Sequence, residues 1–342
     1  MKTREVPDVS LTVQHVLHAA EALRGVAVRT PILTSAALNE ELGREVWVKA
    51  ESQQLTGSFK LRGAYNALAA LSPADRKRGV ICASSGNHAL ALTVAARRFD
   101  VPAAVVVPED LPAVKRRAIL SHGARIVPYA RLTGRRDALV HQLAHQHGLT
   151  IIPSANDERV IAGAGTVAWE MLQEVCGLAT LLASVGGGGL AAGTALAASG
   201  HDPALRVFGV EPAAADDTHR SLRVGRRISI PPPFTVADGL GHSEPARIPF
   251  EINQRLLAGV LTVSEPAISE AMAYLFRHFG LVVEPSGAVA FAGLIQALDD
   301  LPDGPVGVIV SGGNVDWNTY KALLDIAMAR MEASHHAAAV LH

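Results

Sequence analysis

This sequence has few cysteines, few aromatic residues and almost no net charge. Cys82 and Cys176 are the only cysteines among 342 residues, which argues against a disulfide-stabilised fold and suits a reducing compartment. The net charge of −1 gives no reason to expect binding to nucleic acid or to a membrane surface. No apolar segment of the kind found in signal peptides follows the first residues, so we expect a cytoplasmic protein.

Long apolar runs are also scarce, with one exception at residues 181–199. This uncharged run is long enough for a membrane helix, but the four glycines within it would break a helix near its start. We therefore expect a buried strand, a glycine-rich turn and a buried helix. With 49% hydrophobic and 18% charged residues, the chain has the composition of a globular protein, and its length suggests two domains.

Strand and helix patterns alternate along most of the chain, which predicts an α/β fold with mainly parallel strands. A proline-rich stretch at 228–250 lacks periodicity and is predicted to be a long loop. The predicted strands cover 46–49, 79–83, 103–107, 125–127, 181–185, 206–210 and 306–310. The predicted helices cover 58–71, 88–99, 114–122, 135–147, 161–175, 190–198, 268–279 and 286–298.

Four consecutive glycines, Gly186, Gly187, Gly188 and Gly189, join a predicted strand to a predicted helix. Backbone N–H groups and the helix N-terminus make this turn a site for an anion, most naturally a phosphate. The absence of a following Lys-Ser/Thr pair excludes a P-loop. The spacing also fits G-x-G-x-x-A with Ala191, and Glu211 could bind a ribose, so a nicotinamide-dependent oxidoreductase stays an alternative.

Lys60 lies in the first turn of a predicted helix, with Ser58 as the expected N-cap. The positive end of the helix and the apolar neighbours should lower the pKa of its amine, and such a lysine can form a Schiff base. A solvated helix lysine is the ordinary alternative.

The nonapeptide at 56–64, TGSFKLRGA, resembles the cofactor-lysine motif of the pyridoxal-phosphate (PLP) dependent serine/threonine dehydratase and serine racemase family, which has the tryptophan-synthase-β-like fold. Further motifs of that family occur in the same order between about residues 15 and 325. They are SSGNH at 84–88, IAGAGT at 161–166, the glycines at 186–189, EP at 211–212, ADG at 237–239, EPSGA at 284–288 and SGGN at 311–314.

The resemblance implies two α/β domains, each with a mainly parallel sheet flanked by helices, and PLP in the cleft between them. We expect a large domain from residues 1–77 and 148–330, a small mobile domain at 78–147, and a loose tail at 331–342. The resemblance also implies a homodimer. Because the sequence ends soon after these motifs, we expect no C-terminal regulatory domain of the kind found in biosynthetic threonine dehydratases.

The resemblance assigns the cofactor contacts. Lys60 would hold PLP and, once released, remove the Cα proton of the substrate. The glycines at 186–189 would bind the phosphate, Asn87 the 3′-oxygen, and Phe59 would pack near the ring. Ser311 would face the pyridine nitrogen without forcing its protonation, which favours loss of a β-substituent over transamination.

It also assigns the substrate and cation contacts. Ser84, Ser85, Gly86, Asn87 and His88 would hold the substrate carboxylate, with Gly239 nearby, and His88 could equally be a helix cap. We treat Ser85 as a possible second acid/base, so side racemisation is a hypothesis. The expected Mg²⁺ or Ca²⁺ site, which could also take a monovalent cation, has three members: Glu211, the carbonyl of Ala215, and Asp217.

Some positions depart from the family pattern. Ala155 and Ala164 are small, which suggests room for a bulky β-substituent, as in phenylserine, if both face the pocket. His242 could bind or protonate such a group, or lie in a surface loop. Arg136 could meet a second carboxylate and select hydroxyaspartate, or belong to a solvated basic turn with Arg131 and Arg135.

We therefore expect an enzyme that converts a β-hydroxy-L-amino acid of the threonine or serine type to a 2-oxo acid and ammonia. The alternatives on the same scaffold are a hydroxyaspartate dehydratase and an amino-acid racemase. A PLP-binding protein without catalysis is disfavoured by the intact lysine and carboxylate loop.

Overall fold

The computed structural model describes residues 10–84, 86–111, 113–130 and 136–340. The helices are α1 (Val13–Leu23), α2 (Ala36–Leu42), α3 (Lys60–Ala69), α4 (Pro73–Arg78), α5 (Asn87–Arg98), α6 (Ala113–Ser121), α7 (Arg136–His147), α8 (Glu158–Glu174), α9 (Gly189–Ser199), α10 (Asp217–Val224), α11 (Arg247–Leu256), α12 (Glu265–Phe279), α13 (Pro285–Gln296) and α14 (Trp317–Val340). The strands are β1 (Ile32–Leu33), β2 (Val46–Ala50), β3 (Val80–Ala83), β4 (Ala103–Pro108), β5 (Arg125–Tyr129), β6 (Thr150–Ile151), β7 (Thr180–Ser184), β8 (Arg206–Pro212), β9 (Gly259–Val263) and β10 (Val306–Val310).

The strands form two sheets. One has six strands in the order β1-β2-β10-β7-β8-β9, and the other has four in the order β5-β4-β3-β6. Every pairing is parallel except β1 with β2. The predicted α/β class with mainly parallel sheets is therefore confirmed.

The central strands of the larger sheet are buried on both faces, which explains their continuous apolar sequences. All five residues of β7 are buried, and so are all five of β10. Leu181 packs in one hydrophobic cluster with α8 and α9, whereas the next residue, Leu182, packs in a second cluster with α12 and α13. This alternation follows from the two-residue period of a strand.

The smaller sheet is built from residues 80–151. Its last strand, β6, pairs with β3, so this sheet extends past residue 147, where the expected small domain ends. The division of the chain into two domains stays a prediction.

Three local predictions need correction. Ser58 does not cap α3: Phe59 is the N-cap residue, while Ser58 forms an isolated β-bridge with Gly312. The stretch predicted as a loop at 228–250 ends inside α11. Helix α14 continues through most of the expected loose tail, because alanine, methionine and glutamate there have high helix propensity.

The uncharged run at 181–199 divides between β7, the glycine turn and α9, as predicted. Among the described residues, no helix is long and apolar enough to cross a membrane.

Candidate active site

Several predicted cofactor residues lie at the carboxyl ends of strands of the larger sheet, where ligands bind in open α/β sheets, and the predicted carboxylate loop follows β3 of the smaller sheet. The glycine turn follows β7, and Ser311 follows β10. The start of α3 is attached to the same edge, because the backbone N–H of Phe59 donates to the carbonyl of Ser311 at 3.0 Å. Lys60 is thereby brought next to residues more than a hundred positions away.

Lys60 begins α3, as the sequence predicted. Its Nζ donates to the carbonyl of Ser154 at 3.0 Å and lies 4.8 Å from the centroid of the Phe59 ring. Burial lowers the pKa of Lys60 to about 8, although the nearby Glu284 acts to raise it. The expected lowering of the pKa is found, and burial is its main cause. An amine with this pKa is partly uncharged near neutral pH and is available as a nucleophile or base.

The glycine turn suits a phosphate group. Within the described part of the chain, the backbone N–H groups of the four glycines at 186–189 have no protein acceptor. Gly188 has φ 88°, a conformation that favours glycine. A Cβ on Gly187 would lie only 2.9 Å from the Cβ of Ala155. These free donors and the close approach of the backbone fit the phosphate of PLP.

Asn87 is held in a fixed orientation by two neighbours. Its Nδ2 donates to Glu284 Oε1 at 2.6 Å, and its Oδ1 accepts from Asn314 Nδ2 at 2.8 Å. Asn314 Nδ2 also donates to the carbonyl of Thr56, so both amides are oriented by the network. The second N–H of the Asn87 amide stays available, which fits its expected contact with the 3′-oxygen of PLP.

Glu284 is a site residue to which the sequence analysis gave no role, although it begins the EPSGA motif. Its carboxyl group is buried, and burial raises its pKa to about 7. The hydrogen bond from Asn87 acts in the opposite direction, and Asp238 adds to the increase. A carboxyl group that titrates near neutral pH thus lies within electrostatic reach of Lys60.

Ser311 is nearly buried between two other serines. Its Oγ lies 3.4 Å from Ser184 Oγ and 3.5 Å from the carbonyl of Ser286. Ser286 Oγ in turn accepts from the N–H of Gly239 at 3.0 Å. The structure therefore links Ser311 and Gly239 through Ser286, and the nearest partners of Ser311 are neutral, as its expected position facing a pyridine nitrogen requires.

The predicted carboxylate loop lies at the start of α5. Gly86 is the N-cap residue of α5, and its N–H donates to Ser84 Oγ at 3.3 Å. His88 Nε2 lies 2.8 Å from the carbonyl of Ile152, and burial, with a contribution from Lys60, lowers the pKa of His88 to about 4. This histidine is therefore neutral and anchored. Ser85 lies outside the described residues.

The residues that depart from the family pattern do not all reach the site. Ala155 faces Gly187 and Gly189 directly. Ala164 instead packs in the hydrophobic cluster of α8 and α9 and is not among the nearest neighbours of the turn glycines. Only one of the two small residues therefore adds room there, which weakens the sequence argument for a bulky substrate.

His242 and Arg136 lie close enough to interact. The ring of His242 lies over the turn, with its Cδ2 3.0 Å from the position a Cβ of Gly186 would take. Burial, Lys60 and Arg136 together lower the pKa of His242 to about 4. The Arg136 side chain is about half exposed and pairs with Asp137 at 2.9 Å. His242 is therefore a site residue rather than a surface-loop histidine.

The three predicted cation ligands lie between the end of β8 and the start of α10 and are completely buried. Glu211 accepts hydrogen bonds from the N–H groups of Thr218 and His219, while both carboxylate oxygens of Asp217 have no partner among the described residues. Burial raises the pKa of Glu211 to about 8 and that of Asp217 to about 7. No cluster of three or more His, Cys, Asp or Glu that could hold a metal is found in the described chain.

A buried ion network that the sequence analysis missed supports the start of α3. Arg62, two residues after Lys60, is almost fully buried and binds Glu51 through two nitrogens at 2.7 and 2.8 Å. It also binds Glu170 at 2.7 and 2.9 Å, and Lys49 donates to the same carboxylate. Although burial acts to lower it, the pKa of Arg62 is raised by Glu51 and Glu170. The position of Lys60 thus depends on a network spread over three segments.

Comparison with known proteins agrees with this site. The family described as pyridoxal-phosphate dependent enzyme matches residues 23–312. The chain belongs to this family. Its match extends from the end of α1 to the SGGN segment and so includes Lys60, the glycine turn and Ser311.

Individual members of the family are similar over nearly their whole length. An L-threo-3-hydroxyaspartate ammonia-lyase from a Pseudomonas species is 42% identical over 90% of this chain and 97% of its own. An L-threonine ammonia-lyase from Thermotoga maritima is 32% identical over 94% of this chain and 80% of its own. The crystal structure of serine racemase from Dictyostelium discoideum superposes with a TM-score of 0.83, with 37% identity over 90% of this chain and 99% of its own.

Membership of this family decides between the two interpretations of the glycine turn. The turn belongs to a PLP enzyme, so the nicotinamide-dependent oxidoreductase is rejected.

Proposed function

We propose that this protein is a PLP-dependent ammonia-lyase for β-hydroxy-L-amino acids, with L-threo-3-hydroxyaspartate as its preferred substrate. The choice of substrate rests on the similarity to an L-threo-3-hydroxyaspartate ammonia-lyase, which is 42% identical over 90% of this chain. Arg136, whose positive charge contributes to lowering the pKa of His242, is the residue that would meet the second carboxylate.

When bound, PLP withdraws electrons from the Cα atom of an attached amino acid, which makes the Cα proton removable. Lys60 holds the cofactor and then accepts that proton, for which its lowered pKa suits it. The glycine turn binds the phosphate, and Asn87 orients the ring through its remaining N–H. Ser311 offers the pyridine nitrogen a neutral partner. The turn before α5 holds the α-carboxylate through N–H groups at a helix N-terminus.

The charges around the site favour a substrate with two carboxylates. Lys60 and Arg136 both act to lower the pKa of His242, so the charge near this ring is positive, although Arg136 also pairs with Asp137. Arginine can bind a carboxylate through two parallel hydrogen bonds, which gives directional selectivity. A phenyl group would make no charged interaction with Arg136, and Ala155 is the small residue that faces the glycine turn.

Replacing Arg136 with alanine should lower kcat/KM for L-threo-3-hydroxyaspartate by about 100-fold or more, the cost of removing one partner of a charged pair. The value for L-threonine should change little, because that substrate has no second carboxylate. Release of 2-oxo acid from both substrates measures the difference. Arg97→Ala, at a surface arginine of α5, is the matched control. Equal losses on both substrates, or a wild-type enzyme that prefers threonine or phenylserine, would contradict the assignment.

Racemisation is the second candidate activity on this scaffold. Several relatives are named serine racemases, one of them 38% identical over 92% of this chain. The hypothesis depends on Ser85 as a second acid/base, and chiral analysis of L-serine during turnover tests it: no D-serine after many turnovers rejects it.

A divalent cation suits the buried acids. Glu211 and Asp217 are oxygen donors of the kind that Mg²⁺ and Ca²⁺ prefer, and the unpartnered oxygens of Asp217 need compensation. The carbonyl of Ala215 completes the proposed set of protein ligands. A cation held by these residues would stabilise the turn between β8 and α10.

Removing the cation with EDTA should therefore lower the melting temperature, and adding Mg²⁺ or Ca²⁺ should restore it. Asp217→Asn should abolish this response, because it removes a charged ligand while keeping the shape of the side chain. Asp216→Asn, at the partly buried neighbour that pairs with Arg220, is the control. A melting temperature that does not respond to EDTA or to added cation would contradict the site.

We also propose a cytoplasmic homodimer. Two large, exposed aromatic side chains, Phe276 and Trp317, both contact Tyr320, at ring-centroid distances of 6.4 and 6.3 Å. They form an apolar patch that a second copy would cover. Light scattering gives the mass in solution, and a monomer would contradict the proposal.

A further inference from the structure

The position of His242 suggests a role beyond substrate binding. Its imidazole ring lies over the first half of the glycine turn, with Cδ2 and Cε1 3.0 and 3.5 Å from the positions that a Cβ would take on Gly186 and Gly187. A Cβ on Gly186 would press on this ring, and one on Gly187 would be in van der Waals contact with it. The ring nitrogens have no hydrogen-bond partner in the part of the chain that the structure describes, so they are available to a ligand.

Two positive charges act on the pKa of His242. The charged groups that reach it are Lys60 on α3 and Arg136 on α7. The glycine turn and Ala155 carry no charge. Burial and these two cations lower the pKa of His242 to about 4, so the imidazole is neutral before ligands bind.

Bound ligands would place negative charge beside His242 and so oppose the effect of these two cations on its pKa. The phosphate on the glycine turn adds negative charge beside the ring, and a β-carboxylate on Arg136 adds more on the other side. Opposite charges close to an imidazole favour its protonated form. Substrate binding would therefore favour a protonated His242 beside the glycine turn.

We propose that His242 donates the proton that converts the departing β-hydroxyl group into water. The proposal rests on the proposed function, since only a β-hydroxy substrate carries such a leaving group. The Cβ–O bond breaks, its electron pair stays on the oxygen, and the imidazolium N–H proton moves to that oxygen. Water and a neutral His242 result, and His242 regains a proton from solvent when the next substrate binds.

A change of leaving group tests this step. Chloride leaves as a stable anion without a proton, whereas hydroxide is a poor leaving group. In His242→Asn, kcat/KM for L-threo-3-hydroxyaspartate should fall about 100-fold or more, the usual contribution of a general acid. The same variant should keep nearly wild-type kcat/KM for L-threo-3-chloroaspartate. His147→Asn, an exposed histidine of α7, is the matched control and should change neither.

Proton uptake gives a measurement that does not depend on turnover. L-Aspartate has both carboxylates but no leaving group. Calorimetric titration of the holoenzyme with L-aspartate in buffers of different ionisation enthalpy reports the protons taken up on binding. The wild-type protein should take up a proton that His242→Asn does not.

The outcomes separate the two proposals. Equal losses on the hydroxy and chloro substrates would mean that His242 is only structural, and no loss on the hydroxy substrate would mean that another group supplies the proton. Either result would contradict the proposed role of His242 and leave the proposed function intact. If the wild-type enzyme releases chloride but consumes neither hydroxyaspartate nor L-serine, the proposed function itself is contradicted.

Discussion

Lys60→Ala is expected to lose the absorbance band of lysine-bound PLP near roughly 410–420 nm and to lose turnover by at least about 1,000-fold. The amine both holds the cofactor and accepts the Cα proton, so its removal affects two steps. Its contacts with the Ser154 carbonyl and the Phe59 ring are too few for its loss to unfold the protein. The measurement is an absorbance spectrum followed by detection of 2-oxo acid.

Two controls accompany this prediction. Lys321→Ala removes an exposed lysine of α14 that pairs with Asp325, and it should change neither the spectrum nor the rate. Lys60→Arg keeps the positive charge but cannot form the Schiff base, so it should behave like Lys60→Ala. A Lys60→Ala protein that retains the band would show that another lysine holds the cofactor.

Arg62→Ala should cost about 3–5 kcal/mol of the free energy of unfolding, the usual cost of breaking a buried ion pair. The substitution leaves the carboxylates of Glu51 and Glu170 without their main partner, and Lys49 compensates only one of them. Urea denaturation followed by circular dichroism measures the loss.

The same variant connects stability with the site. Arg62 follows Lys60 by two residues, so a loosened start of α3 should also weaken PLP binding to the cofactor-free protein. Arg62→Lys keeps the charge but loses the paired hydrogen bonds, and an intermediate effect is expected. Lys321→Ala again serves as the surface control. A loss below about 1 kcal/mol in Arg62→Ala, the range of exposed pairs, would contradict a structural role for the network.

Local features of the site were predictable because neighbouring residues determine them. Four glycines between an apolar strand and an apolar helix predict an anion-binding turn from contiguous residues alone. Lys60 was correctly placed in the first turn of a helix, although Ser58 proved to be part of a β-bridge rather than the cap. That error has a tertiary cause, since the bridge partner Gly312 is contributed by a distant segment.

Side chains whose roles depend on distant partners were not predictable. Glu284 was part of a quoted motif, but its role follows from Asn87, 197 positions away. Arg62 is likewise part of the lysine motif, but its structural role follows only from its contact with Glu170 in a distant helix. Ala155 and Ala164 looked equivalent in sequence, and only packing showed that one faces the turn and the other the core.

By itself, the sequence determined the α/β class, the order of most strands and helices, the glycine turn, and the lysine that would hold the cofactor. Periodicity, turn residues and helix starts depend on contiguous residues, so they can be predicted without knowing how the rest of the chain folds. The tertiary structure alone decided the ionisation of the site. The pKa values of Lys60, Glu284 and His242 depend on burial and on charges contributed by separate segments, and desolvation and Coulomb interactions act through space rather than along the chain.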